Sequence, residues 1–228
     1  MLLATKVSVA RSPNAALLND LVAPAPTGYL PTRMSDDLLD LDPDNPLPAA
    51  RGRLLVSGPY LPDPYFRRTV VLLCEHNEEG SFGFVLNRSM DLSVSDLMEN
   101  MPPIGSQVSI GGPVQSGNLY YLHTLGPHLP GSVEVVDGVH MGGDYEQLKA
   151  MLSTNMELAK HIRFFVGYSG WEIGQLQKEL DDRSWLIAHG DKRRIMNTRI
   201  EDLWADTLRG MGKPFAPLAN FPEDPALN

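Results

Sequence analysis

The stretch from Phe164 to Leu180, FFVGYSGWEIGQLQKEL, leaves the backbone few paths. A run of aromatic and β-branched residues suits a pleated strand, and it meets Gly167-Tyr168-Ser169-Gly170-Trp171 before the pattern turns amphipathic with a helical period. This predicts a strand from Ile162 to Tyr168, a tight corner, and a helix from Trp171 to Leu180 with Ile173, Leu176 and Leu180 facing inward. A corner of this kind points the unpaired N–H groups of a helix start at one place, where an anion or a polar ligand can be held. Ser169 fits there as the N-cap. A G-x-S-x-G nucleophile elbow needs glycine at 171, where Trp171 stands, so the capping role takes precedence over a nucleophilic one.

Upstream, short β-type runs alternate with turns. Arg53 to Ser57 and Thr69 to Cys74 read as strands around a loop carrying Pro59, Pro62 and Pro64. Glu75 to Gly80 reads as a polar turn, with Phe82 to Asn87 returning as the second strand of a hairpin. Ser93-Val-Ser-Asp96 resembles a capping box opening a short helix. Gln107 to Ile110, Leu119 to Thr124 and Val133 to Val136 follow as strands, and Asp144 opens a helix that places Tyr145, Leu148, Met151 and Leu152 on one face. Trp185 to Ala188 is a last strand. Thr198 to Glu201 is a second capping box, ahead of a helix with Ile200, Leu203, Trp204 and Leu208 on one stripe. Gly210, Gly212 and Pro214 stop that helix. Strands and helices mix without a strict βαβ rhythm. The expected fold class is therefore α+β, a single domain with a mostly antiparallel or mixed sheet flanked by helices.

Residues 1–50 differ in kind. They carry seven prolines, Asp-rich stretches and one aromatic residue, Tyr29, a composition that buries too little apolar surface to offset its ordering entropy. We read 1–50 as a flexible N-terminal extension, with a short helix capped by Ser35, and 51–228 as the folded domain. The tail from Phe215 to Asn228 has apolar residues spaced by prolines and suits an extended path over a groove or over its own domain.

Charge and cysteine content exclude several functions. The net charge is −9, and the one tight basic cluster, Lys192-Arg193-Arg194, follows the acidic pair Asp181 and Asp182 closely. Duplex binding rests on clustered Lys and Arg meeting several phosphates, so direct nucleic-acid contact is disfavoured. A single cysteine, Cys74, allows no intramolecular disulfide and fits a reducing compartment, the cytoplasm. No apolar run reaches the ~20 residues of a membrane span.

Reactive motifs fail on inspection. Asp40-x-Asp42-x-Asp44 begins like a calcium loop but has Asn45 in place of the glycine and Arg51 in place of the final Glu. Gly212-Lys213 resembles a phosphate loop ending, yet Thr207 and Pro214 occupy its other key positions. The histidines lack metal-ligand spacing and a thiolate set, so no metal and no cofactor is expected. Cys74 and His76 stand two apart, on the same face of a continuing strand, which permits a thiolate–imidazole pair; the competing picture is a buried thiol ending an apolar strand.

Four segments, taken together, resemble the YqgE/AlgH family of bacterial proteins. They are Gly52 to Pro59 (GRLLVSGP), Phe66 to Arg88 (FRRTVVLLCEHNEEGSFGFVLNR), Gly111-Gly112-Pro113-Val114, and Gly167 to Trp171 with Gly174-Gln175-Leu176. The likeness runs from about Gly52 to near the C-terminus, and the extension lies outside it. Ser81-Phe82 departs from the small residue usual before the Gly-rich strand. The resemblance implies one α+β domain with a strongly coiled, partly bifurcated sheet. Some members carry a transcriptional-regulator label, and the family implies no cofactor and no catalytic residue.

The expectation is a cytosolic binding or regulatory module for a small molecule or a protein partner, with any effect on transcription indirect. Glu75, His76, Asn87, Gly111, Gly112, Ser169, Gly170 and Trp171 are the candidate ligand-binding residues, lining one shallow pocket in which Trp171 is the apolar wall. The alternatives are a hydrolase or thiol enzyme using Cys74 with His76, or Ser169, and an interaction scaffold, as a monomer or a homodimer.

Overall fold

Side chains alternate between two buried faces along the central strands, and that alternation shapes the molecule. A computed structural model of the protein describes residues 7–8, 45, 47–197 and 200–222. In chain order, β1 (Val7–Ser8) precedes β2 (Arg53–Ser57), β3 (Val70–Asn77), β4 (Gly80–Val85) and β5 (Ser89–Ser93). One helical turn, α1 (Val94–Leu97), leads to β6 (Gln107–Ile110), β7 (Val114–His123), β8 (Val133–Val136) and β9 (Val139–Met141). Helix α2 (Tyr145–Thr154) and a 3₁₀ segment, Met156–His161, feed β10 (Ile162–Trp171). Then come α3 (Gln175–Asp181), β11 (Trp185–His189), α4 (Lys192–Met196), α5 (Leu203–Gly210) and a 3₁₀ segment, Ala216–Asn220.

Among the described residues the strands form one sheet with the path β11-β2-β3-β4-β10-β7-β9-β8; β6 branches from β10 and carries β5, and β1 pairs with β7. The β6–β10 pair is parallel. The other pairs run antiparallel. The fold is α+β with a curled, largely antiparallel sheet.

The curl follows from which residues share a core. Leu72 and Cys74 of β3, Phe84 of β4, Leu122 of β7 and Phe165 of β10 meet in one cluster drawing on both halves of the sheet, so that face is concave. Trp204 and Leu208 of α5, with Leu218 behind them, pack into it. The opposite faces bury separately. Tyr121, Phe164 and Val166 pack under Leu148 and Leu152 of α2. Val71, Leu73 and Ile187 pack with Trp171, Trp185 and Leu176.

Strand β10 joins the two halves. Its first part, Ile162 to Val166, pairs with β7 and partly with β6. Its last three residues, Ser169, Gly170 and Trp171, face Gly83, Phe82 and Ser81 of β4. The register breaks between Val166 and Tyr168, at Gly167, whose φ is +67°. This corrects the reading of the corner. The chain does not turn into a helix at Trp171; it crosses as a strand from one half of the sheet to the other. Helix α3 starts four residues later, capped by Gly174 and not by Ser169. Ile173 consequently sits on the connection, 75% exposed, and does not face inward. Leu176 and Leu180 do pack against the core.

Other expectations are met in outline. The Asp144 cap accepts the Gln147 N–H at 2.9 Å. Ser93 and Asp96 close on each other, the Ser93 N–H reaching the carboxylate at 2.8 Å. Glu75, His76 and Asn77 lie in β3 rather than in a turn, because the hairpin closes tightly between Asn77 and Gly80. The end of the 1–50 segment is held on the domain: Asn45 donates to the Ile187 carbonyl of β11 at 2.8 Å, and Leu47 and Ala49 pack against the Trp171–Trp185 cluster. The Ser35-capped helix and most of the 1–50 extension lie outside the described residues, as do Thr198 and Arg199 of the second capping box. The tail, as far as Pro222, covers its own domain: Leu218 and Ala219 are buried and Phe221 meets Tyr60 edge to face.

Candidate functional site

Gly111, Gly112 and Ser169 lie together where β10 crosses. The Gly111 N–H donates to the Val166 carbonyl at 2.8 Å, its own carbonyl accepts the Val85 N–H at 2.8 Å, and the Ser169 hydroxyl donates to the same carbonyl at 3.2 Å. A Cβ on Gly112 would stand 2.0 Å from the Tyr168 carbonyl carbon, and one on Gly167 would stand 2.3 Å from the Gly112 carbonyl oxygen. Glycine is needed here because two backbones touch. The polar groups expected to face a ligand bond one another instead, and Ser169 is fully buried.

Glu75, His76, Gly170 and Trp171 lie farther along the same β3–β4–β10 ladder. His76 Nδ1 bonds the Ser81 hydroxyl at 2.7 Å, and Glu75 accepts from Asn77 Nδ2 at 2.7 Å. Trp171 is 6% exposed and is no pocket wall. Its Nε1–H donates to Glu179 at 2.8 Å, and Trp185 donates to the same carboxylate oxygen at 2.8 Å. Asn87 stands at the opposite end of the hairpin from His76. There its side chain accepts the Val70 N–H at 2.9 Å and donates to the Arg68 carbonyl at 2.7 Å. It pins the start of β3 and shares no recess with His76.

The nucleophile candidates are closed in. Cys74 is buried within the concave core, and burial pushes its thiol pKa up, away from thiolate character. The ladder register shifts between Leu73 and Glu75, so Cys74 is the bulged residue; its thiol faces the core while His76 is exposed and bonded to Ser81. No thiolate–imidazole pair forms.

An open cleft of about 750 Å³ lies elsewhere, at the N-terminal ends of the parallel pair β6–β10. The 103–107 loop and β6 form one side and the 3₁₀ segment the other, with Ile104, Gln107, Ser109, Lys160 and Arg163 among its lining. Arg163 is 4% exposed on β10. It donates to the Ile195 carbonyl at 2.6 Å, the Leu86 carbonyl at 2.8 Å and Ser109 Oγ at 3.3 Å, and its guanidinium carbon stands 5.2 Å from the Phe165 ring centre. Burial lowers its pKa to about 10, so it stays charged at neutral pH. Sequence reading missed this cleft. The one available signal was an arginine interrupting the apolar run of β10.

Among the described residues no group of three or more His, Cys, Asp or Glu side chains is placed to hold a metal ion. No helix among them is long and apolar enough to cross a membrane.

Comparison with known proteins places this architecture. Residues 54–216 match the family model described as AlgH-like. A UPF0301 protein of Chlorobaculum tepidum is 41% identical over 177 residues, covering 78% of this chain and 95% of that protein. A UPF0301 protein of Bacteroides thetaiotaomicron is 35% identical over 196 residues, covering 86% and 99%. The solution structure of the AlgH protein from Pseudomonas aeruginosa superposes with a TM-score of 0.63 at 26% identity, covering 79% of this chain and 98% of that one. A crystal structure of a Corynebacterium diphtheriae protein shares the fold, with a TM-score of 0.66 at 23% identity and coverage of 82% and 100%. These matches establish a family without assigning its molecular function. With its bifurcated sheet and the four segments that build it, the chain belongs to the AlgH-like, UPF0301 family of bacterial proteins.

Proposed function

We propose that this chain is a cytoplasmic binding or regulatory module, not a catalyst, and that its ligand occupies the cleft beside β6 and β10. The observation that carries this reading is the cleft itself. At about 750 Å³ it falls within the range of small-molecule sites, and it combines apolar side chains such as Ile104 and Ile162 with polar ones such as Ser89 and Gln107. Cys74 and Ser169, the two side chains suited to nucleophilic attack, are buried away from solvent, which argues against covalent chemistry at either. The ligand is a small molecule or a short segment of a protein partner, taken up by the chain alone or as a homodimer. Any effect on transcription is indirect. The basic run Lys192 to Arg194 sits on a single short helix, where Arg194 is already paired with Asp191, and a chain of net charge −9 repels a phosphate backbone.

Screening uncharged polar fragments against the isotope-labelled chain, with backbone amide shifts as the readout, tests this. Saturable shifts should fall in 104–110 and 156–163. A library that moves residues 74–76 and 167–171 in their place, or cleft amides that answer neither this library nor small anions, would sink the proposal.

A further inference from the structure

The next inference rests on that cleft reading and concerns the charge of what enters it. The three acceptors of the Arg163 guanidinium are two carbonyls and a hydroxyl, all neutral. No carboxylate lies within ion-pair reach of it among the described residues. A buried cation held by dipoles alone still lacks a counter-charge, which is a costly arrangement. A guanidinium carries five N–H donors and these bonds use three, so two are left without an acceptor among the described residues. Ser109 repeats the pattern independently. Its oxygen accepts from Arg163, while its own O–H donates to no described residue. Both residues line the cleft, and Lys160 lines it too. Among the described residues the one carboxylate in the lining, Glu157, is paired with Lys160. Among the described residues, two cations against one anion leave the lining net positive, in a chain whose total charge is −9.

We infer that the cleft binds a small oxyanion, a phosphate ester or a carboxylate, held by the free Arg163 donors and the Ser109 hydroxyl with Lys160 at the entrance. Paired N–H donors suit the two oxygens of such a group, and the anion supplies the charge that the protein withholds from Arg163. Carbonyls on the far side hold the guanidinium in place before the ligand arrives, which limits the ordering cost of binding.

The test uses the full chain, titrated with inorganic phosphate and separately with acetate at ionic strength held constant by chloride. The readouts are the Arg163 Nε–H resonance and the backbone amides of Gln107, Val108 and Ser109. One of the two anions should give a saturable shift that chloride does not reproduce, and which anion does so identifies the chemical source. Arg163→Lys should weaken that binding about tenfold or more, because a single ammonium cannot reproduce the fork. Lys160→Ala, at a side chain 74% exposed, should weaken it about threefold with the fold intact. Should Arg163→Lys fail to fold, Ser109→Ala and Lys160→Ala carry the comparison. A response that never saturates, that chloride matches, or that survives every variant overturns the inference. If anions do nothing while uncharged fragments shift the cleft amides, the oxyanion assignment falls and the binding module stands. If neither class shifts them, both fall.

Discussion

At Gly112 the Tyr168 backbone approaches so closely that a methyl group must push two strands apart, whereas a Cβ on Gly117 would meet nothing within 4 Å. Gly112→Ala should therefore cost about 3 kcal/mol or more, as overpacking at a rigid contact does. Gly117→Ala should stay within about 0.5 kcal/mol of the parent. Urea unfolding with unchanged slope checks both. At this scale the sequence was informative about which residues matter and misleading about why. The glycines and Ser169 drew attention as ligand contacts because a glycine that admits a ligand and one that admits a second backbone look alike in one dimension. Asn87 looked free for the same reason; its partners, Val70 and Arg68, are 17 and 19 residues away.

Among the elements, strands with clean alternation were legible, and so were the capped helix after Asp144 and the stripe of α5. The end of β10 was not, because Gly-Ser-Gly reads as a break and only pairing with β4 makes it a strand. The β7–β9 pair has its own consequence. His123 and His140 are register partners with rings stacked at 5.7 Å. His123 Nδ1 accepts the Leu125 N–H, and Nε2 donates to the Gly142 carbonyl, so both nitrogens are committed in the neutral form. Burial lowers its pKa from 6.5 to about 4, with the neighbouring His140 acting in the same direction and the Gly142 bond against it. The unfolded chain then binds a proton that the folded chain refuses. Stability is level above pH 6.5 and falls as pH drops from 6.5 towards 4, by roughly 3 kcal/mol in all for this residue. In His123→Gln that part of the loss should be absent, whatever the variant's stability at pH 7. Denaturation midpoints measured across pH 4 to 7.5 decide it.

For the whole molecule, family and fold class were within reach of sequence because the four matching segments build the strands and their crossing. The cleft was out of reach. Arg163 finds its acceptors 32, 77 and 54 residues away, on the α4 helix, just beyond β4 and on β6, and no local pattern encodes such a meeting. The surface divides into a closed glycine crossing that builds the sheet and an open cleft, the proposed ligand site. Amide hydrogen exchange on the free chain tests that division directly, since Gly111 donates to Val166 and Val85 to Gly111 in the crossing itself. Both amides should exchange only through global unfolding, with opening free energies close to the full stability of the domain, while Gly105 on the cleft rim exchanges quickly. Fast exchange at Gly111 and Val85 would mean that the crossing opens on its own as a site, and the division would be wrong.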